Sequence, residues 1–309
     1  MKRVVSVSLG SSLRDHEVQI TLFGEPVHIQ RIGTDGDFKK ATALLQDFDG
    51  KVDAIGLGGL DIYLYAGDKR FPLRDGLRLM QAVKKTPVVD GSGLKNTLER
   101  DVVTYIHENL FPLQGKKVLM VSALDRFGMA EAFWKHGAQV TCGDLIFALG
   151  VDKAITSFDE LKQQAEKLLP EIGKLPIGFI YPIGKKQEEE PISEPKFAHY
   201  YEEADVIAGD FHFIRKYLPP HLPGKLVVTN TVTPSDVERF RQCGISLLVA
   251  TTPEFNGRSF GTNVLEAALL AFLGKRWEEV KPADYANLLR NLHLEPRVEH
   301  LNEMTNIQR

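Results

Sequence analysis

Several common features are scarce or missing in this sequence. Its 309 residues include two cysteines, Cys142 and Cys243, far apart and without CxxC spacing. That excludes a disulfide framework and a thiolate zinc site, and it fits a reduced, cytoplasmic setting. No apolar run approaches the roughly 20 residues that span a bilayer. "MKRVVSVSLGSS" has the basic start of a signal peptide, but serines break its short apolar core, so a first β-strand is expected. An excess of one charge is also lacking: 38 Lys and Arg against 41 Asp and Glu leave a net −3, scattered without stripes. Nucleic acid and anionic membrane are therefore not expected partners. No internal repeat, Walker A run, GxSxG elbow or HExxH occurs. The histidines never fall at HxH or HxxxH spacing. His199, Asp210 and His212 are the nearest set, with Asp210 and His212 on one side if "GDFHF" is extended, and no metal is expected.

What is present reads as α/β with two domains. Hydrophobic residues at 43% with 26% charged residues can sustain a sizeable core. Residues 1–100 form an α+β domain. Val4–Leu9, His16–Phe23 and Glu25–Gly33 read as strands, the last two joined by a turn at Gly24. "TDGD" caps a helix through "FKKATALLQDF". "KVDAIGLGG" is a strand, "DIYLYAGDKRFPL" a hairpin and "GLRLMQAVKK" a helix. Residues 101–275 alternate strand and helix, the pattern of a Rossmann-like, doubly wound parallel sheet. Its strands are "GKKVLMVSA", "AQVTCGDLIFA", "ADVIAGDF", "GKLVVTNTV" and "ISLLVATTP". The helix "SFDELKQQAEKLLPEIGKL" opens on a Ser157–Glu160 capping box, and "TPSDVERFRQCG" carries Pro234 in its first turn. The apolar "GTNVLEAALLAFLGK" closes this domain. Residues 276–309 are a tail, helical at "ADYANLLRNLH", and the charged, proline-rich Tyr181–Tyr201 is a surface loop.

Ligands of open α/β sheets bind beyond the C-terminal strand ends. "VDGSGLKNTLERD" puts Asp90, Ser92, Lys95, Asn96 and Thr97 at a helix start, with Asp101 further on. Gly91 and Gly93 there let backbone approach a ligand. One cap needs one such residue, so the density favours a site, and a lysine beside an aspartate can transfer protons. "NGRSFGTN" offers Arg258 and Ser259 at a second anion-ready helix start, and "SLGSS" offers Ser11 and Ser12. In the second domain "VSALDRFGMA" occupies the place of a dinucleotide turn. It lacks GxGxxG, having only Gly128, but Ser122 and Arg126 could meet phosphate. Asp144 falls where an acid holds a ribose hydroxyl. Thr229, Asn230 and Thr251 lie at later strand ends.

The order of these parts resembles the shikimate/quinate 5-dehydrogenase superfamily. The phrases "VVSVSLGSS", "GTDGD", "VDGSGLKNTLER", "VLMVSALDRFGMAEA", "GDLIFALG", "GDFHFIR" and "GRSFGTNVLEA" look like short bacterial proteins labelled quinate 5-dehydrogenase, over nearly the whole chain. The resemblance implies a cleft between domains and an NAD or NADP cofactor. It implies a small hydroxylated carboxylic acid as substrate, with Lys95 and Asp101 or Asp90 moving the proton. Paired serines, Ser11 with Ser12 or Ser6 with Ser8, would hold the substrate carboxylate, with Arg258 and Ser259, Ser92, Asn96 and Thr97. Cofactor contacts would come from Ser122, Arg126, Gly128, Asp144, Thr229, Asn230 and Thr251. The rival expectations are a transferase or lyase acting on a phosphorylated metabolite, and a non-catalytic metabolite-binding protein. The partner expected is a small molecule, with homo-oligomerisation open.

Overall fold

Residues 1–180, 196–252, 254–255, 258–259, 261–275, 279–292 and 295–303 are described by the structure, a computed structural model. The chain forms two units. One takes Met1–Leu98, Lys167–Glu189 and Phe260–Leu294; the other takes Glu99–Glu166, Glu190–Ser259 and Glu295–Arg309.

The chain begins with β1 (Lys2–Ser8), β2 (His16–Leu22), β3 (Glu25–Gly33), α1 (Phe38–Phe48) and β4 (Ala54–Gly58). It continues through the hairpin β5 (Tyr63–Ala66) and β6 (Lys69–Pro72), then α2 (Arg74–Met80), β7 (Val88–Val89) and α3 (Ser92–Tyr105). Five strands make one sheet in the order β2-β3-β1-β4-β7, parallel except for β2. β4 is buried at every residue and β1 from Val4 onward, as parallel strands covered on both faces are. Asp37 caps α1 by accepting from the amides of Lys39 and Lys40. α2 ends at Met80, short of the helix expected through Lys85. The Asp49 carboxylate accepts the amides of Lys84, Lys85 and Thr86 at 2.8–2.9 Å, which draws that segment out of the helix.

Beyond α3 come β8 (Lys117–Met120), α4 (Phe127–Lys135), β9 (Gln139–Cys142), α5 (Asp144–Leu149), α6 (Phe158–Ile172) and α7 (Ala198–Glu203). β10 (Val206–Ala208), α8 (Phe211–Lys216), β11 (Leu226–Thr229), α9 (Pro234–Gln242) and β12 (Leu247–Ala250) follow. The chain ends with the short ladder β13 (Glu254–Phe255) and β14 (Arg258–Ser259), then α10 (Thr262–Leu273), α11 (Pro282–Leu292) and β15 (Arg297–His300). The second unit's sheet runs β15-β12-β11-β10-β8-β9, parallel except for β15. That is a doubly wound order of the 2-1-3-4-5 kind, with its direction of winding reversing between β8 and β10. Phe147, Phe197, Tyr201, Phe211 and Phe240 pack with Ile207, Val227 and Leu248 into its core.

Several expectations change. "DLIFA" is helix α5 rather than strand, with Asp144 in the first turn where the helix dipole favours a carboxylate. "GDF" likewise leaves the strand: Asp210 caps α8 by accepting the His212 amide, so the extended Asp210–His212 pairing does not form. α10, expected to close the second domain, belongs to the first unit. Val264–Ala271 are all buried, Asn263 donates to the Ser6 hydroxyl at 2.8 Å, and a Cβ on Gly56 would meet the Asn263 carbonyl oxygen at 2.7 Å. A helix apolar all round needs cover on every side, and a sheet buried on both faces provides it. The tail divides too. α11 lies in the first unit, whereas β15 pairs antiparallel with β12. Of the loop expected over Tyr181–Tyr201, residues 181–195 lie outside the described residues and Ala198–Glu203 is helical. No helix among the described residues is long and apolar enough to cross a membrane.

Candidate functional site

"VVDGSGLKN" leaves β7 and turns into α3 within the first unit. Asp90 organises the turn. Its carboxylate accepts the amides of Ile62 and Tyr63, the latter at 3.1 Å, and the amide and hydroxyl of Ser92 at 2.9 and 2.6 Å. Gly91 is left-handed at φ +95°, and its amide donates to Glu266 Oε2 at 2.6 Å. One turn on, Lys95 Nζ donates to Asp61 Oδ2 at 3.0 Å, with the two side chains 11% and 15% exposed. Asp61 follows the C-terminal end of β4, so the pair sits where parallel sheets place ligands. Glu266 also accepts the Tyr285 hydroxyl at 2.6 Å. Burial, then the charge of Asp90, push the Glu266 carboxyl up to about 8. Burial, Glu266 and Asp90 push the Tyr65 phenol up to about 12, and Tyr285 is raised by burial and Glu266. A lysine ammonium aimed by one carboxylate, among hydroxyls and a second, protonatable carboxyl, is equipped to transfer a proton.

The second unit has its own polar cluster at the strand ends. In dinucleotide folds the turn after the first strand offers its amides to a pyrophosphate. Here Asp144 takes them: Oδ2 accepts from Ala123 at 3.1 Å and Oδ1 from Leu124 at 2.8 Å. Asp144 does not reach outward, and burial raises its carboxyl to about 6. Arg126 is buried, donating to Glu99 and, at 3.1 Å, to Asp210, with Asp125 at 3.6 Å. Burial lowers its pKa, but Glu99, Asp125 and Asp210 outweigh that and hold it charged. Asn230 donates to Asp210 at 3.1 Å, the Ser122 hydroxyl accepts the Asp210 amide at 3.2 Å, and Thr229 donates to the Gly209 carbonyl. Gly128 is buried inside α4, and Thr251 carries a buried hydroxyl without a hydrogen-bond partner. A bound pyrophosphate needs free amides and net positive charge. Here Asp144 takes two of the turn amides and carboxylates surround the arginine, so the turn does not fit NAD or NADP in the ordinary mode.

The remaining expected residues are spread out. Asp101 is exposed, and six residues at about 100° each carry it some 240° around α3 from Lys95, whose partner is Asp61 instead. The Ser11 hydroxyl accepts the Leu13 amide, the Ser12 amide donates to Asp35, Arg31 donates to Ser8, and Ser6 is held by Asn263. These serines answer the protein's own groups. Asn96 and Thr97 are half-buried on α3, and Thr97 Oγ1 has no hydrogen-bond partner. Arg258 and Ser259 form β14, and their side chains lie outside the described residues. Among the described residues no three His, Cys, Asp or Glu could hold a metal ion. Sequence reasoning missed Asp61, Glu266, Tyr65, Tyr285 and Glu99. Asp61 was findable, because an acid two residues after the glycines of a strand end is where such a partner belongs.

Fold and site together define a two-unit α/β protein with a Rossmann-like second sheet and a lysine–aspartate pair in the first unit. The chain belongs to the family described as Domain of unknown function (DUF8754), whose model matches residues 93–301. A second model, Domain of unknown function (DUF8753), matches residues 3–90. No curated protein matches it. Among solved structures it is similar to hetero-hexameric glutamate dehydrogenase from Thermus thermophilus, at 14% identity and TM-score 0.41, covering 94% of this chain and 74% of that one. A sugar transport substrate-binding protein from Bordetella parapertussis gives 12% and 0.37, over 96% and 82%. A chain described as a malic enzyme (malate oxidoreductase) gives 12% and 0.33, over 80% of this chain, which spans 65% of its length.

Proposed function

We propose that the protein is an acid–base enzyme acting on a small hydroxylated carboxylic acid of the quinate or shikimate kind. One observation carries this reading: the 3.0 Å Lys95–Asp61 pair at the C-terminal end of a parallel sheet, shielded from water but still reachable. Lys95 Nζ gives a proton to, or takes one from, a substrate oxygen or the carbon beside a carbonyl. Asp61 fixes the direction of the ammonium, and Ser92 and Tyr65 lie in the same unit as further hydroxyls. A proton-transfer group so positioned contributes about 10²–10⁴-fold.

The resemblance to quinate and shikimate 5-dehydrogenases supports the same two residue types, with Asp61 in the role expected of Asp90 or Asp101. In that family NAD or NADP takes the hydride. The β8–α4 turn does not fit that cofactor, and Lys95 and Asp61 belong to the first unit, not to the second. The chemistry the pair can run alone is loss or gain of water, which is lyase chemistry, or proton exchange beside a carbonyl, which is the proton step of an isomerisation. Non-catalytic metabolite binding is the second reading, favoured by the same filled turn.

The test is incubation with quinate, shikimate and their keto forms in D2O, followed by proton NMR. Water loss or deuterium uptake in the native protein, reduced at least about 100-fold in Lys95→Ala and in Asp61→Asn, supports the proposal. Equal rates with and without Lys95 sink it. Binding without turnover, unchanged in Lys95→Ala, moves the conclusion to a metabolite-binding protein.

A further inference from the structure

Two amides of the strand-end turn of the second unit are already answered by the chain itself. We infer that Asp144 is a resident anion: its carboxylate occupies the phosphate position of the β8–α4 turn, so the Rossmann-like unit does not hold NAD or NADP through that turn. The inference concerns the second unit alone and stands apart from the role proposed for Lys95.

Three observations converge on it. The first is the donor set. A dinucleotide pyrophosphate is held by turn amides at the start of the helix after the first strand. The amides of Ala123 and Leu124 point instead at the two oxygens of one carboxylate, at 3.1 and 2.8 Å. A planar, bidentate anion already sits there, supplied by the chain.

The second is the path of the chain after β9. An acid in this place ordinarily reaches a ribose hydroxyl. Here Gly143 ends the strand and α5 starts at Asp144 itself, which leaves the side chain 9% exposed and engaged with the neighbouring turn. Close approach by a ligand backbone is not provided for either, because Gly128 is buried within α4.

The third is charge. Arg126 is the obvious lure for a phosphate, yet its guanidinium already faces Glu99, Asp210 and Asp125. That makes three carboxylates around one guanidinium, with a fourth, Asp144, on the adjoining turn amides. Asn230 and Ser122, the nearby neutral groups, both answer Asp210. A dianionic pyrophosphate would have to displace a carboxylate and then sit among the others.

The experiment uses the full chain labelled with 15N. The amide signals of Ala123 and Leu124 are followed as NAD, NADP and inorganic pyrophosphate are added to millimolar concentration at neutral pH. Neither signal is expected to move. Asp144→Ala should shift both upfield, because both amides lose a charged acceptor. Saturable movement of both signals in the native protein overturns the inference. So does an Asp144→Ala protein whose two amides stay in place, since the carboxylate would then not be their partner. Asp144→Asn covers the case in which the alanine variant misfolds: it keeps one acceptor oxygen, so one amide should move more than the other, and no movement of either again overturns the inference. A dinucleotide that raises the melting temperature while both signals stay still binds elsewhere, and the inference stands.

Discussion

Lys95 in the first unit and Arg126 in the second are both cations held by carboxylates, yet they are built for different work. Arg126 is 3% exposed and ringed by Glu99, Asp210 and Asp125, with burial opposing its charge and the carboxylates restoring it. A guanidinium cannot give up its proton in a protein, so this cluster is a strut. Lys95 faces Asp61 with both side chains slightly open to water. An ammonium is a compact point charge that can exchange its proton, so the same kind of ion pair becomes a tool. The lesson is that burial and residue type, not the presence of an ion pair, separate scaffold from site.

The comparison predicts effects that can be ranked. Lys95→Arg keeps the charge and the Asp61 partner but removes the exchangeable proton. Turnover should fall about 10²–10⁴-fold while the melting temperature barely moves. A variant that keeps full activity would break the contrast, and steady-state rates beside thermal unfolding decide it. Arg126→Leu should act the other way round. Taking the guanidinium away from the buried Glu99 should cost about 3–5 kcal/mol of stability, read from the urea midpoint at constant slope.

Glu266 tests whether the first region is the one that responds to pH. Its carboxyl is held at about 8 in the folded chain against an ordinary 4.5, so folding favours its protonated form. Its contribution to stability is therefore full below about pH 4.5 and is lost as pH rises towards 8, by up to about 1.4 kcal/mol per pH unit. Glu266→Gln should flatten that slope in unfolding curves taken across the window. An unchanged slope would place the titration on another group. The smallest effect expected is at Ser157, whose hydroxyl accepts the Glu160 amide at 3.2 Å to start α6. Ser157→Ala should cost about 1 kcal/mol and leave turnover untouched, a control for variants that merely loosen the fold.

Much of the fold was legible in local pattern. Strand β3 and helix α1 were readable to the residue, because apolar periodicity, the Asp37 cap and the turn at Gly24 are chemistry between near neighbours. "DGSGLKN" was legible as a site for the same reason: unusual density of polar groups in one turn. The partner of Lys95 was not. Asp90 and Asp101 are near in sequence, but the dipeptide amides of Ile62 and Tyr63 claim Asp90, and helical twist carries Asp101 away.

The sequence by itself determined the strand and helix segments, the α/β class and the polar turn at Asp90–Lys95, since each depends on residues a few positions apart. The tertiary structure alone decided that α10 packs on the first sheet, that Asp61 meets Lys95, and that Asp144 fills the turn at Ala123 and Leu124. Those are meetings between residues 20 to 257 positions apart, set by which apolar face each element must bury and which buried amides must find an acceptor. No local pattern records that choice.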